Sequence, residues 1–283
     1  MDPSEIRRLV IVAMFSDDFL FDRLVLKGGN AISLVYGYGN RSSLDIDFSM
    51  PDEFDDLENV QSRIFRALQD RFDASGYVVF DYSFEQRPAV PGPTTTPKWG
   101  GYAAKFKLIE KPKFEVLGHD SDAMRRSATV LGPLEQRTFT IEISKWEFCT
   151  GKTEAEIDRF SIFVYTPPML AIEKLRAVCQ QMPEYRLRTY KTARARDFYD
   201  LWILITEASV DLGTPESLDL ARHIFSAKDV PLPLIGRIGD YREFHRQDWP
   251  AVVGTVNRDL REFDFYFDFV LRETNKLQPL WEV

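Results

Sequence analysis

The segment that most constrains the fold of this chain is residues 24–50, LVLKGGNAISLVYGYGNRSSLDIDFSM. Its first residues predict a short strand that ends in a turn at Gly28 and Gly29, because glycine permits tight turns and close backbone approaches. The residues NAISLVYG then predict a helix with Asn30 as its N-cap. The last residues, LDIDFSM, predict a second strand. A strand, a glycine turn, a helix and another strand in direct succession indicate a compact α+β unit.

Two acidic residues, Asp45 and Asp47, stand two positions apart on the second strand. Because side chains alternate along a strand, both carboxylates share one face, while Leu44, Ile46 and Phe48 share the other and predict a buried core. Such an acidic pair is most often solvated surface. It also suits a divalent cation, since Mg²⁺ prefers carboxylate oxygens together with substrate phosphates. The neighbouring glycine turn favours this second interpretation, because a helix start offers free N–H groups to phosphate.

The rest of the chain changes character near its middle. The N-terminal part predicts helices at 4–15 and 53–74 and strands at 77–84, 102–109 and 137–148, whereas the later part predicts helices only, at 167–182, 186–208, 215–227 and 249–275. We therefore predict an α+β domain over residues 1–160 and a helical C-terminal domain over residues 161–283. The proline-rich segment 85–101 is long for a hairpin connection, so it is functional or the two strands beside it do not pair.

Charge and composition restrict the class of protein. The chain has 283 residues and a formal net charge of -8, which argues against a simple nucleic-acid-binding module. The charge is uneven, because residues 174–196 contain seven basic residues and one acidic residue. This segment is either a solvated helical face or a local contact for a polyanion. No apolar run reaches the roughly 18 residues that a membrane helix needs, and two cysteines fit a reducing compartment. We expect a cytoplasmic protein with no membrane association.

Two blocks of the sequence resemble a known family. The block KGGNAISLVYGYGNRSSLDIDF is similar to the signature of the DNA polymerase β-type nucleotidyltransferase superfamily, and more closely to that of the AbiEii/AbiGii toxins, which include the MenT-type toxins. The block MLAIEKLRAVCQQMPEYRLRTYKTARARDFYDLWIL is similar to that family's lysine helix and to its Arg-Asp-x-Tyr-Asp-Leu stretch. The resemblance implies a mixed or antiparallel sheet flanked by helices, with a helical C-terminal domain that contributes the nucleotide-binding Lys174.

The resemblance also implies an acidic metal site. Asp45 and Asp47 would hold two Mg²⁺ ions, or Mn²⁺, and Glu142 would complete the site and deprotonate the nucleophile. The family usually has an aspartate at this third position, and Glu115 is an alternative to Glu142.

A second set of residues would bind the nucleotide. The family usually has serine or threonine where Asn30 stands. Asp197 resembles an essential aspartate of the family, and we expect it to position Lys174 or a basic neighbour. On a helical wheel Lys174 points toward apolar residues, whereas Met169, Glu173, Arg176 and Gln180 form an outer face. The residues implied to contact the nucleotide are Gly28, Gly29, Asn30, Arg41, Ser43, Lys174 and Arg196.

The function implied by the resemblance is Mg²⁺-dependent transfer of a nucleoside monophosphate from an NTP to an acceptor, with release of pyrophosphate. The expected acceptor is RNA, especially the 3′ end of tRNA. The expected role is that of a toxin in a type IV-like toxin–antitoxin or phage-defence system, with an antitoxin as partner. One alternative is transfer to a protein or to a small molecule. The other is a non-catalytic regulatory relative, because Asn30 and Glu142 depart from the residues that the family usually has at these positions.

Overall fold

A single mixed sheet organises the computed structural model, which describes residues 2–39, 45–89, 99–118, 120–130, 136–256 and 259–282. Its strands within these ranges are β1 (Val25–Lys27), β2 (Ile46–Ser49), β3 (Tyr77–Arg87), β4 (Gly101–Glu110), β5 (Phe139–Ser144), β6 (Thr153–Ile157) and β7 (Phe160–Val164). Their order in the sheet is β3-β4-β5-β2-β1-β7-β6. The pairs β2–β5 and β1–β7 are parallel and the other pairs are antiparallel. The predicted α+β class is confirmed.

Helices flank this sheet and dominate the chain after β7. The α-helices are α1 (Pro3–Phe15), α2 (Asp18–Phe21), α3 (Gly28–Asn30), α4 (Leu57–Ala74), α5 (Lys111–Leu117), α6 (Ser121–Ser127), α7 (Pro167–Cys179), α8 (Ala195–Thr206), α9 (Pro215–Ser226), α10 (Arg242–Arg246), α11 (Trp249–Val253) and α12 (Phe263–Thr274). A π-helix, Ala31–Val35, continues α3, and two 3₁₀ segments cover Leu232–Tyr241 and Asn275–Leu280. No helix among the described residues is long and apolar enough to cross a membrane.

The apolar face of the sheet packs against α1 and α4. Phe15 of α1 lies 5.8 Å, between ring centroids, from Phe48 of β2. Phe72 of α4 lies 6.0 Å from Phe106 of β4. Each such side chain stabilises the fold by about 1.5–3 kcal/mol when it is fully buried. The start of α4 is fixed by Asp56, whose side chain accepts a hydrogen bond from the Asn59 N–H. These contacts hold the strands that carry the acidic residues.

Helix α7 is buried on almost every side, and its Glu173 approaches Lys27 of β1. Lys174 is buried as expected, but so are three residues that the helical wheel assigned to an outer face: Met169, Arg176 and Gln180. That prediction was wrong because α7 packs against α8, α9 and the 3₁₀ segment Leu232–Tyr241. A helical wheel identifies the more polar face of a helix, but it does not show whether other elements bury that face and pair its charges.

A hairpin that the sequence did not predict extends the sheet. Strands β6 and β7 pair with Ile157 opposite Phe160, so only Asp158 and Arg159 form the turn, with φ of 50° and 69°. Turns of this kind usually contain Asn-Gly, and this chain lacks that signal. The predicted domain boundary, between residues 160 and 161, falls inside β7.

Other predictions about elements met mixed outcomes. Strands β3 and β4 do pair as an antiparallel hairpin across the proline-rich segment, of which residues 90–98 lie outside the described part. The predicted helix 186–208 begins only at α8, and the predicted helix 249–275 is two separate helices, α11 and α12. The cysteines Cys149 and Cys179 are buried and free.

Candidate active site

Three charged side chains form a row across neighbouring strands of the sheet. Lys27 at the end of β1 is the register partner of Asp47 on β2, and Asp47 is the partner of Glu142 on β5. Residues that pair directly across strands point to the same face, and neighbouring strands lie about 4.8 Å apart. Asp47 therefore lies between a cation and a second carboxylate, and we call the pair Asp47 and Glu142 the acidic row.

The glycine turn meets this row directly. Gly28 follows Lys27 and has a φ of +72°, which favours glycine over any residue with a Cβ. A Cβ at Gly28 would also clash with Oδ2 of Asp47. Gly28 and Gly29 are the first residues of α3, whose N–H groups have no partner within the helix. The turn thus brings possible phosphate donors into contact with the acidic row.

Asn30 has a different position from the one predicted. It is the third residue of α3, not its N-cap, because the helix begins directly after Lys27. The Asn30 side chain is fully buried, and its Nδ2 donates a 2.7 Å hydrogen bond to the backbone oxygen of Asp45. The side chain therefore ties the glycine turn to the residue that begins the acidic pair. Contact between Asn30 and a nucleotide stays a prediction. Because the side chain is buried, the contact would be made by the backbone N–H of Asn30.

The two aspartates share an excess of negative charge. Burial, together with the carboxylates of Glu142, Glu173 and Asp45, raises the pKa of Asp47 to about 7, although Lys27 opposes the shift. Burial and the Glu142 carboxylate likewise raise the pKa of Asp45. Such repulsion is relieved when a cation binds between the carboxylates.

Two arginines stand beside the acidic group. Nη1 of Arg87 lies 3.5 Å from Oε1 of Glu142, and both side chains are about half exposed. Arg87 and Arg196 both lower the pKa of Asp45, which places their charges near that carboxylate. Arg196 was predicted from the family resemblance. Arg87 was missed, because the end of a strand before a proline-rich segment carries no signal for a site.

Of the two candidates for the third acidic residue, Glu142 lies beside Asp47 and Glu115 does not. Glu142 is the direct partner of Asp47, whereas Glu115 lies on α5, which begins after Glu110 at the far end of β4. Since Ala103 pairs with Glu142, seven further residues of β4 place that end about 24 Å away. The predicted nucleotide contacts Arg41 and Ser43 lie outside the described residues.

Lys174 lies in a separate buried cluster with two aspartates. Its Nζ is 3.1 Å from Oδ1 of Asp197 and 2.7 Å from Oδ2 of Asp200. The predicted contact between Asp197 and Lys174 is therefore present. Although burial opposes it, Lys174 and Arg194 lower the pKa of Asp197. Asp200 is buried as well.

A small cavity links this lysine cluster to the glycine turn. Gly29 and Asp200 both line it, together with Tyr38 and Tyr199. The cavity lies where α3 and the π-helix after it meet α8. The ammonium of Lys174 and the N–H groups of the turn therefore belong to the same region.

A further set of charged residues, which we call the buried ion cluster, lies behind the acidic row. Its members are Lys27, Glu147, Glu173, Arg176 and Lys228. Arg176 binds both carboxylate oxygens of Glu147, at 2.7 and 3.0 Å. Nζ of Lys27 lies 3.5 Å from Oε1 of Glu147 and 3.7 Å from Oε1 of Glu173. The cluster anchors β1, the strand that directly precedes Gly28, and it was not predicted from the sequence.

The acidic residues suit a divalent cation in chemistry, but not as a complete protein cage. Among the described residues, no group of three or more His, Cys, Asp or Glu is arranged to hold a metal ion. Mg²⁺ is commonly held by one or two carboxylates together with substrate phosphates and water. Asp45 and Asp47 fit that smaller requirement, because burial and neighbouring carboxylates raise both pKa values and a bound cation would offset both effects.

Comparison with known proteins identifies one family and a set of similar solved structures. The sequence model of the family described as "Nucleotidyl transferase AbiEii toxin, Type IV TA system" matches residues 10–269. No curated protein matches the chain significantly.

Three solved structures are similar in fold. A proposed nucleotidyltransferase from H. pylori is 17% identical, with 97% of this chain and 96% of that chain covered and a TM-score of 0.49. JHP933 from Helicobacter pylori is 16% identical, with 97% and 93% covered and a TM-score of 0.46. An antigenic nucleotidyltransferase-like protein from Paracoccidioides brasiliensis is 11% identical, with 90% and 95% covered and a TM-score of 0.42.

Proposed function

This chain belongs to the AbiEii family of nucleotidyltransferase toxins from type IV toxin–antitoxin systems, and from that membership we propose its reaction. The enzyme transfers a nucleoside monophosphate from an NTP to an RNA acceptor, the 3′ end of tRNA, in a Mg²⁺-dependent step that releases pyrophosphate. Blocking the tRNA 3′ end prevents aminoacylation and stops translation, and a cognate antitoxin protein restrains the activity.

The observation that carries the proposal is the contact between the glycine turn and the acidic row. Gly28 touches the Asp47 carboxylate, and Asp47 lies directly beside Glu142 in the sheet. A triphosphate bound by the N–H groups of the turn would therefore meet the carboxylates without any rearrangement. Neither the turn nor the acidic pair alone would support nucleotidyl transfer as strongly.

Asp45 and Asp47 are the residues that would hold Mg²⁺, with two ions expected and Mn²⁺ as a substitute. When bound, the ions polarise the phosphate oxygens and lower the pKa of the attacking hydroxyl. Residues of the chain itself bind and orient the triphosphate. Gly28 and Gly29 orient the β- and γ-phosphates through their N–H groups. Lys174, held by Asp197 and Asp200 beside the cavity that Gly29 lines, supplies positive charge to the same phosphates.

The transfer step follows from these positions. The acceptor hydroxyl oxygen attacks the α-phosphorus and forms a new P–O bond, while the bond to the β-phosphate oxygen breaks and pyrophosphate leaves. Glu142, which is exposed, accepts the proton of the hydroxyl. Arg87 and Arg196 stabilise the negative charge that develops on the phosphoryl oxygens.

Labelled NTPs, incubated with the purified enzyme, Mg²⁺ and total cell extract, test the proposal. Label that migrates with tRNA and depends on Asp47 supports it. Label that migrates with protein or with small molecules would replace the RNA acceptor by one of the two alternative acceptors. Absence of any Asp47-dependent incorporation, at full Mg²⁺ and with each NTP in turn, would overturn the proposed reaction.

A further inference from the structure

The segment between α7 and α8 exposes one aromatic ring among basic side chains. Tyr190 is 84% exposed, which is high for a large aromatic residue. Residues 186–196 contain five basic residues and no acidic residue, in a chain whose net charge is -8. Single-stranded nucleic acids bind to surfaces of this kind, where cations meet phosphates and aromatic rings stack on bases.

This segment is irregular but firmly attached to the fold. Nζ of Lys191 donates hydrogen bonds to the backbone oxygens of Gln180 and Tyr185, at 3.1 and 2.6 Å. The Thr192 N–H donates to the side chain of Gln181. The Arg194 N–H donates to Nδ1 of His245 at 3.1 Å. The exposed ring of Tyr190 is therefore presented by a fixed backbone, and ordering it on binding costs little entropy.

The segment also borders the candidate site, since Nη1 of Arg194 lies 3.5 Å from Oδ2 of Asp197. Nε of Arg188 donates a 2.9 Å hydrogen bond to the backbone oxygen of Tyr190. Burial and repulsion from Arg194 lower the pKa of Arg188, whereas the Glu142 carboxylate raises it, so the guanidinium lies within electrostatic reach of Glu142. In the part of the chain that the structure describes, neither Arg186 nor Arg188 forms an ion pair. Their charges thus remain available to an external anion.

We propose that Tyr190 stacks on a base near the 3′ end of a single-stranded RNA acceptor, whose phosphates are bound by Arg186 and Arg188. This inference rests on the proposed function, because it places the acceptor end beside Glu142, where its hydroxyl would react. Stacking is tolerant of sequence, so the platform positions the acceptor without reading it. Tyr190 is thus a positioning residue for the acceptor and has no role toward the NTP.

Fluorescence anisotropy with a labelled single-stranded RNA of about twelve nucleotides tests the platform. Tyr190→Ala should raise the Kd of this RNA by roughly tenfold, whereas Tyr190→Phe, which keeps the ring, should bind as the wild type does. Phe160→Ala is the matched control, because Phe160 is also an exposed ring but lies on β7, outside the segment. In the transfer assay, Tyr190→Ala should raise KM for RNA and leave KM for the NTP and kcat unchanged.

The outcomes separate this inference from the proposed function. If the wild type transfers label to RNA and Tyr190→Ala binds and modifies the RNA equally well, the platform is overturned while the reaction stands. Such a result would assign the exposed ring to a protein partner instead. If the wild type binds the RNA through Tyr190 but transfers no label, the reaction fails while the platform stands. Loss of binding in Tyr190→Phe as well as in Tyr190→Ala would also contradict stacking.

Discussion

Two carboxylates on either side of Lys27, those of Glu147 and Asp47, have pKa values that move in opposite directions. Although burial opposes it, Arg176, Lys27 and Lys228 hold the pKa of Glu147 far below its usual range. Burial and three other carboxylates together raise the pKa of Asp47 to about 7, although Lys27 opposes the shift. Glu147 is therefore fully paired inside the protein, whereas the single cation beside Asp47 does not offset burial and the neighbouring carboxylates.

This difference assigns a separate role to each region. In the buried ion cluster, bidentate contact with Arg176 satisfies Glu147, so the cluster fixes β1 and the start of α3. In the acidic row, by contrast, the arginine contact is longer, because Nη1 of Arg87 lies 3.5 Å from Oε1 of Glu142. We therefore assign the positioning of β1 and α3 to the buried ion cluster, and the binding of a cation to the acidic row. The predictions below test this division, from the largest expected effect to the smallest.

The largest expected effect is on catalysis in the acidic row. Asp47→Asn should lower nucleotidyl transfer by at least about 10³-fold, because a metal-binding carboxylate contributes several kcal/mol to the transition state. The melting temperature should stay the same or rise, since the substitution removes repulsion from Glu142. Transfer kinetics and thermal unfolding measure the two effects. Asp70→Asn on the exposed face of α4 is the control and should change neither. A large loss of stability in Asp47→Asn would assign the residue to the fold.

Glu147→Gln should show the opposite pattern. Removing the charge of Glu147 leaves Arg176 with the more distant carboxylate of Glu173, at 3.6 Å, and should lower the free energy of unfolding by about 3–5 kcal/mol. Transfer by the protein that remains folded should fall far less than in Asp47→Asn. Urea denaturation gives the stability, and the assay is run below the transition. An unchanged unfolding midpoint would show that the cluster does not hold the strand.

A third region, next to Asp197, sharpens the comparison through pH. His245 is fully buried, and burial lowers its pKa to about 4 from an ordinary 6.5. Between these values the unfolded chain binds the proton and the folded chain does not, so the free energy of unfolding rises with pH by about 3 kcal/mol. His245→Asn should flatten this part of the pH profile, measured by urea denaturation. The same slope in the variant would show that other groups produce it.

The smallest expected effect comes from the turn that joins the two regions. Gly28→Ala should lower transfer on the order of 10²-fold, because its Cβ would displace the Asp47 carboxylate. Gly37→Ala is the matched control. Gly37 also has a positive φ, of +69°, but a Cβ there would meet no atom within 4 Å, so only backbone strain applies. Equal transfer rates in the two variants would mean that the turn does not set the position of Asp47.

The sequence was most informative where the site is local. The glycine turn and Asp47 belong to adjacent elements, and alternation along β2 places the Asp47 carboxylate opposite Ile46 and Phe48. Asp45 was predicted on the same strand but lies just before it, since β2 begins at Ile46. Glu142 came only from the family resemblance, because nothing in residues 24–50 reveals which distant strand pairs with β2.

Contacts between distant segments were not predictable in the same way. Glu147 was not among the predicted site residues, and Arg176 was assigned to an outer face. Their pairing inside the protein depends on how α7 packs against the sheet. Arg87 reaches Glu142 only because β3 and β4 form a hairpin next to β5. Periodicity describes one element at a time and cannot reveal such neighbours.

The central claim is that Asp45 and Asp47 form a divalent-cation site together with a triphosphate. Electron paramagnetic resonance measures it directly, by titrating Mn²⁺ into the protein in the presence of a non-hydrolysable NTP. We predict that the wild type binds Mn²⁺ beyond the amount bound by the nucleotide alone. We predict that the folded double variant Asp45→Asn/Asp47→Asn loses this extra binding. Equal Mn²⁺ binding by the wild type and the double variant would contradict the account.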